Sequence, residues 1–314
     1  MAFLDFFKGS KALLTGQKAY KAHGKGDYEE ALRLYEEARA QGLTEPRYLL
    51  GYTVLLIRTG AYQKARELLV SMQKYPGLTP DQRTELFVNY AACAYKLGEI
   101  DKGISLLQRQ HQHAPSGLIY QTLGCLLVEK YALENTPDFD ALEAAARAEA
   151  AARAEAAADD ETAPQAEDAP EAPLSAEAGQ DEVQQAPAAP TAREKWAQGI
   201  RDAEAFELEA VDYDDEDAVC LDNLGQFLYR VKGDHAAARE WFERAVRIKP
   251  NQIDTLWFLS RYDLEEGHAD RAVEKLTRAS EGRFSPLNHM NKEQILEEIR
   301  RLRETQTGGV VHAE

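Results

Sequence analysis

The feature that most constrains this chain is a recurring pair of small residues. A glycine is followed five positions later by alanine or glycine: Gly26 with Ala31, Gly60 with Ala65, Gly98 with Gly103, Gly233 with Ala238, and Gly267 with Ala272. Gly26 to Gly60 is 34 residues, and so is Gly233 to Gly267. Gly60 to Gly98 is 38, which puts four extra residues in the loop near Tyr75–Pro80. Helical periodicity flanks each glycine. Ala31, Leu34, Tyr35 and Ala38 share a face, as do Ala238, Phe242 and Ala245, and Ala272, Leu276 and Ala279. Ahead of the turns come Phe87, Tyr90, Ala91 and Ala94, then Leu221, Leu224, Gly225 and Leu228. Small residues in mid-helix let paired backbones approach closely. Pro115 and Pro250 stop the second helix of two pairs, because proline disfavours helix in the residue before it.

This pattern resembles the tetratricopeptide repeat (TPR), a helix–turn–helix unit of 34 residues with the pattern W-x2-L-G-x2-Y…A-x3-F…P. The best single match is Leu221-x2-Leu224-Gly225-x2-Leu228, then Ala238-x3-Phe242, Ala245 and Pro250, with one extra residue before Gly233. Tyr120-x2-Leu123-Gly124-x2-Leu127 matches the first half of the pattern. Leu, Phe or Tyr stands for the consensus Trp, and Thr53 or Ser260 for the Gly. The resemblance spans about three-quarters of the chain, which looks like uncharacterised bacterial TPR-containing proteins. It implies an all-α fold: a right-handed α-solenoid of about six helical hairpins, with a C-terminal capping helix and a low-complexity insertion.

The insertion shows in the charge. The 314 residues carry 37 Lys+Arg and 54 Asp+Glu, a formal net charge of −17. Residues 132–196 hold 16 acids, four bases, six of the twelve prolines and 23 alanines, so the remainder is near balance. Such a stretch buries too little apolar surface to offset the entropy of ordering it. Gly124 and Gly225 are 101 residues apart, which leaves 67 beyond one 34-residue repeat. The fourth repeat is therefore expected to be split, with its first helix near 117–130 and its second near 194–212. The second would use Ala203, Phe206, Ala210 and Val211 as its inward face. The alternative is that 138–158 is itself that second helix. Within the insertion, Thr136-Pro137 reads as a helix start, and Glu143–Arg147 and Glu149–Arg153 as i,i+4 pairs on a solvated helix. Residues 163–190 read as disordered, either a spacer or an arm for a basic partner.

The expected organisation is an N-terminal block at 1–131, the insertion at 132–192 and a C-terminal block at 193–286. A capping helix at 287–305 and a tail at 306–314 complete it. Asn291-Lys292-Glu293-Gln294 resembles a capping box, followed by Ile295, Leu296, Ile299 and Leu302 as inward residues. Phe3, Leu4, Phe6 and Phe7 are expected to cap the first repeat.

Function classes are excluded one by one. Net acidity argues against nucleic-acid binding by phosphate neutralisation. The longest apolar run, Leu49 to Ile57, is too short for a membrane span, and the first residues do not form a secretory signal. Three isolated cysteines, Cys93, Cys125 and Cys220, read as buried thiols in a reduced cytoplasmic protein. His111 and His113 point apart on a helix and leave no metal site, and Asp212–Asp217 lacks the glycine and glutamate of a calcium loop. No phosphate-binding, nucleophile or zinc-protease motif is present, so neither catalytic residue nor cofactor is expected.

What remains is a surface. First helices line the concave side of such a solenoid, which suits an extended peptide or partner helix. Register places Arg58, Asn89, Tyr95 and Lys96 there from the first block. Asn223, Gln226, Tyr229, Arg230, Trp257 and Arg261 come from the second. Arg and aromatic residues are favoured interface anchors. The resemblance also implies, in some members, a carboxylate clamp of Lys, Asn and Arg. Asn223 fits it, but Asp254 and Phe258 stand where the cations should be. The expected function is a non-catalytic adaptor or scaffold for a protein or peptide partner, of unspecified identity and oligomeric state. The competing expectations are a regulatory subunit of an enzyme complex, or an enzyme with an unrecognised site.

Overall fold

Each recurring glycine turns one helix back on the next. Gly26, Gly60, Gly98, Gly233 and Gly267 all adopt positive φ, between 67° and 83°, which a side chain would oppose. The structure is a computed structural model describing residues 2–160 and 190–308, with side chains over 10–152 and 190–306. The apolar N-terminal side chains Phe3 to Phe7, the Glu149–Arg153 pair, residues 163–189 and the last residues of the tail lie outside what is described.

The described residues are helical, with no strand among them. The elements are α1 (Ala2–Lys25), α2 (Tyr28–Ala40), α3 (Pro46–Arg58), α4 (Tyr62–Met72), α5 (Pro80–Lys96), α6 (Ile100–His113) and α7 (Gly117–Tyr131). A short 3-10 turn, Leu133–Asn135, precedes α8 (Phe139–Asp160) and α9 (Ala192–Tyr213). Then come α10 (Ala218–Gln226) with a π-turn over Phe227–Lys232, α11 (His235–Ile248), α12 (Ile253–Glu265), α13 (Ala269–Ser280) and α14 (Lys292–Gly308). Two compact units result, one of residues 1–135 and 203–314, the other of 136–202.

In the first unit, α1, α3, α5, α7 and α10 touch in succession and form one layer, backed by their hairpin partners. Thr255 donates to Asp222 (2.5 Å) and joins α12 to α10. The close approach is visible at two glycines. A Cβ on Gly103 would lie 3.0 Å from the Ala91 carbonyl oxygen, and one on Gly225 would lie 2.7 Å from the Phe242 ring. Ala31, Ala65, Ala238 and Ala272 are fully buried for the same reason. The last eleven residues of α9, from Ala203, pack Ala210 and Phe206 against Tyr120 of α7 and Cys220 of α10. Asp217 caps α10 by accepting from the Val219 and Cys220 amides (2.8 and 3.2 Å). Asn291 and Gln294 cap α14 reciprocally (2.8 and 2.9 Å). On α14, Ile295 and Ile299 are buried, but Leu296, expected inward, is 47% exposed because it sits on the outer side of the first turn.

The extra residue before Gly233 is absorbed inside the helix. Thr53 to Gly60 and Ser260 to Gly267 are each seven residues, whereas Gly225 to Gly233 is eight. The π-turn over Phe227–Lys232 takes up the difference without lengthening the turn.

In the second unit, α8 begins at Phe139, two residues after the Thr136-Pro137 start that the sequence suggests. Asp138 is its cap instead, accepting from the Ala141 amide (3.0 Å). Arg147 donates to the Glu143 main-chain carbonyl (3.2 Å), so the helix is braced by a backbone acceptor there. Phe139 is buried edge-on to Trp196, with Arg193 over its ring at 4.8 Å.

Candidate interaction groove

The residues that register assigns to the face all lie on first helices, in three different states. At its N-terminal end, Arg58 donates to the main-chain carbonyl of Phe284 (2.7 Å), 226 residues away. Its Nε has no partner, and neither has Nδ2 of half-buried Asn89. Lys96 lies 4.5 Å over the Tyr95 ring. At the C-terminal end, Trp257 donates to Glu298 (2.9 Å), while Arg261 stacks over Trp257 (4.6 Å) and ion-pairs with Glu298. The Arg261 Nε is again without an acceptor.

Between these ends the face is buried and already satisfied. Arg230, 7% exposed, is held by Glu129 (2.5 Å) and Glu134 (2.7 Å), and Tyr95 donates to the other oxygen of Glu129 (2.9 Å). Burial raises the Glu129 carboxyl, but the Arg230 guanidinium and the Tyr95 hydroxyl outweigh it and hold the group ionised. Tyr229 stacks on His235 (3.9 Å between centroids) and meets Phe258 and Tyr262 edge-on. Both residues therefore knit helices together. Asn223 donates to the Gln121 carbonyl (2.9 Å), and Gln226 to Asp222 (2.8 Å).

Asn223 and Gln226 open onto a cavity of about 360 Å³ that Gln121, Asp254, Arg283 and Asn288 also line. Asp222 and Asp254 are buried there, and burial raises both carboxyls, Asp254 further through the Asp222 charge. Asp254 accepts from the Asn288 side chain (2.8 Å) and the His289 amide (3.1 Å). The carboxylate that breaks the expected clamp is thus the anchor for a different segment. Behind the cavity, Glu207 of α9 is fully buried with neither oxygen hydrogen-bonded, and burial pushes it up to about 8. Its Oε2 lies 2.8 Å from where a Cβ on Gly124 would stand.

Residues 218–249 match the tetratricopeptide repeat family. Among solved structures, TTC0263, a thermophilic TPR protein of Thermus thermophilus, is 15% identical. It covers 82% of this chain and 98% of its own, with a TM-score of 0.51. A tetratricopeptide repeat protein from Parabacteroides merdae is 16% identical over 94% of this chain and 99% of its own, with a TM-score of 0.41. YrrB, described as a TPR protein with an unusual peptide-binding site, is 13% identical over 78% and 90%, also at 0.41. No curated protein matches by sequence.

The fold is that of the tetratricopeptide repeat.

Several partners on this TPR face were invisible to register. Glu129, Glu134, Asp222, Asn288 and His289 carry no motif, and the clamp position of Asp254 does not reveal the segment it anchors. The one available signal was length. The α13–α14 connection has eleven residues, against three to seven in the other hairpin-to-hairpin connections. Among the described residues no cluster of three metal-ligating side chains forms, and no helix is long and apolar enough to cross a membrane. His111 packs edge-on against Tyr120 and Phe206 instead. Cys93 and Cys220 are buried and Cys125 half-buried, all as free thiols whose ionisation burial opposes.

Proposed function

We propose that this chain is a non-catalytic adaptor whose first-helix face binds a protein or peptide segment. The observation that carries the proposal is a set of donors without acceptors: Nε of Arg58, Nδ2 of Asn89 and Nε of Arg261 are all buried and unpaired. A buried donor left unsatisfied costs about 1–3 kcal/mol, so such groups call for an explanation. A peptide that takes the place of the groups now covering these donors supplies main-chain carbonyls as acceptors. Peptide recognition along a groove uses this chemistry, and the TPR fold supplies the groove. The three free thiols suit a reducing compartment.

A photo-reactive benzoylphenylalanine at position 89 tests the assignment in lysate of the source organism. The control carries it at Val70, 46% exposed on the second helix α4. Crosslinked protein at 89 and none at 70 supports the face. Equal crosslinking at both, or crosslinking at 70 alone, moves the site elsewhere.

A further inference from the structure

The eleven residues between α13 and α14 do not take the short way round. They cross the first-helix face and bind it as a peptide would. The Phe284 carbonyl accepts from Arg58 of the second hairpin (2.7 Å), and the Leu287 carbonyl from the Cys125 thiol of α7 (3.6 Å). Asn288 and the His289 amide donate to Asp254 of the sixth hairpin. The His289 ring stacks on Phe258 (5.2 Å, 24°) and meets Trp257 edge-on (4.8 Å, 63°). One segment therefore bonds to the second, fourth and sixth hairpins together. Pro286 keeps it from coiling into helix. Capping does not demand this route. α14 docks through Ile295 and Ile299, and three to seven residues join hairpins elsewhere in the chain.

We propose that residues 283–290 are a built-in competitor, occupying in cis the site that a partner's segment takes in trans. The proposal rests on the assignment of this face to peptide binding and specifies the peptide. The partner segment is turned as Ser285–Asn288 is, where the Asn288 amide donates to the Ser285 carbonyl (3.0 Å). It offers main-chain carbonyls to Arg58 and Cys125, a carboxamide with an adjacent main-chain amide to Asp254, and an aromatic or imidazole ring to Phe258 and Trp257. A short tether holds its ligand at an effective concentration on the order of millimolar. An incoming peptide thus meets a site whose small open fraction lowers its apparent affinity in proportion.

The probe is a fluorescein-labelled peptide of residues 283–291 (Arg-Phe-Ser-Pro-Leu-Asn-His-Met-Asn), titrated by fluorescence anisotropy. It is added to the full chain, to a variant with 283–290 replaced by eight Gly and Ser residues, and to Asn288→Ala/His289→Ala. Both variants should bind at least about tenfold more tightly than the unaltered chain, which is mostly closed. Asp254→Ala added to either should remove the gain. Equal binding by all three proteins, or none by a variant whose far-ultraviolet circular dichroism keeps the parent's helicity, overturns the proposal. If the Gly/Ser chain does not fold, the double alanine variant decides. A flat titration with crosslinks at position 89 intact rejects the competitor alone. Loss of those crosslinks rejects the face.

Discussion

Arg230 shows how a side chain that looks like a ligand contact becomes a fastener. Its guanidinium joins Glu129 and Glu134 across α7 and the adjoining 3-10 turn, and Glu129 also receives Tyr95 from α5. Arg230→Ala should lower unfolding free energy by about 3 kcal/mol in urea titrations, the low end for a broken buried pair, since Glu134 stays half exposed. Glu207 makes the opposite case. Its folded-state value, about 8, lies above that of an unfolded glutamate, so the folded chain prefers the neutral acid. The associated stability is complete below the unfolded value near 4.5 and is lost as pH rises through 8. Melting temperature should therefore fall between pH 5 and pH 8, and Glu207→Gln should flatten that slope. A slope unchanged in the variant would place the proton elsewhere. Neither role was legible in the sequence. Register says which face a residue is on, not which of its neighbours is charged.

At the scale of single elements, the turns and their small residues were readable because sterics alone fix them. A glycine at positive φ and an alanine under a neighbouring backbone leave a periodic trace. The π-turn left a trace too, one residue of excess spacing, but spacing does not reveal that the surplus is stored inside the helix. Deleting Val231 should convert Phe227–Lys232 to α-helix and leave the residues beyond it in register, because the surplus residue is the one removed. Helicity by circular dichroism should persist, and its loss would show that the surplus residue is not stored in this turn. The start of α8 is ambiguous in the sequence because Thr136-Pro137 and Asp138 both satisfy the local rules, and only the Ala141 amide chooses between them. Removing 136–191 with a short linker should shift the melting temperature by only a few degrees. The scanned helicity per residue should hold, and its collapse would assign the segment to the core.

For the first unit as a whole, nearest-neighbour stacking predicts stability that is a sum over repeats. The segment at 283–290 breaks that rule, since Arg58, Cys125 and Asp254 belong to the second, fourth and sixth hairpins. Unaltered chain should melt in one sharp transition. The Gly/Ser variant should melt over a wider range as the terminal hairpins fray independently, a difference calorimetry resolves. The hairpin array could be inferred from a period of 34. The crossing could not, because a contact between residues 226 apart has no period.

A coil with a strut lashed across its windings is stiff until the lashing slips. Seated, residues 283–290 fix the distance between the second and sixth hairpins. Released, they leave a spring free to lengthen, so a dye pair on those hairpins would register each release as a change in distance.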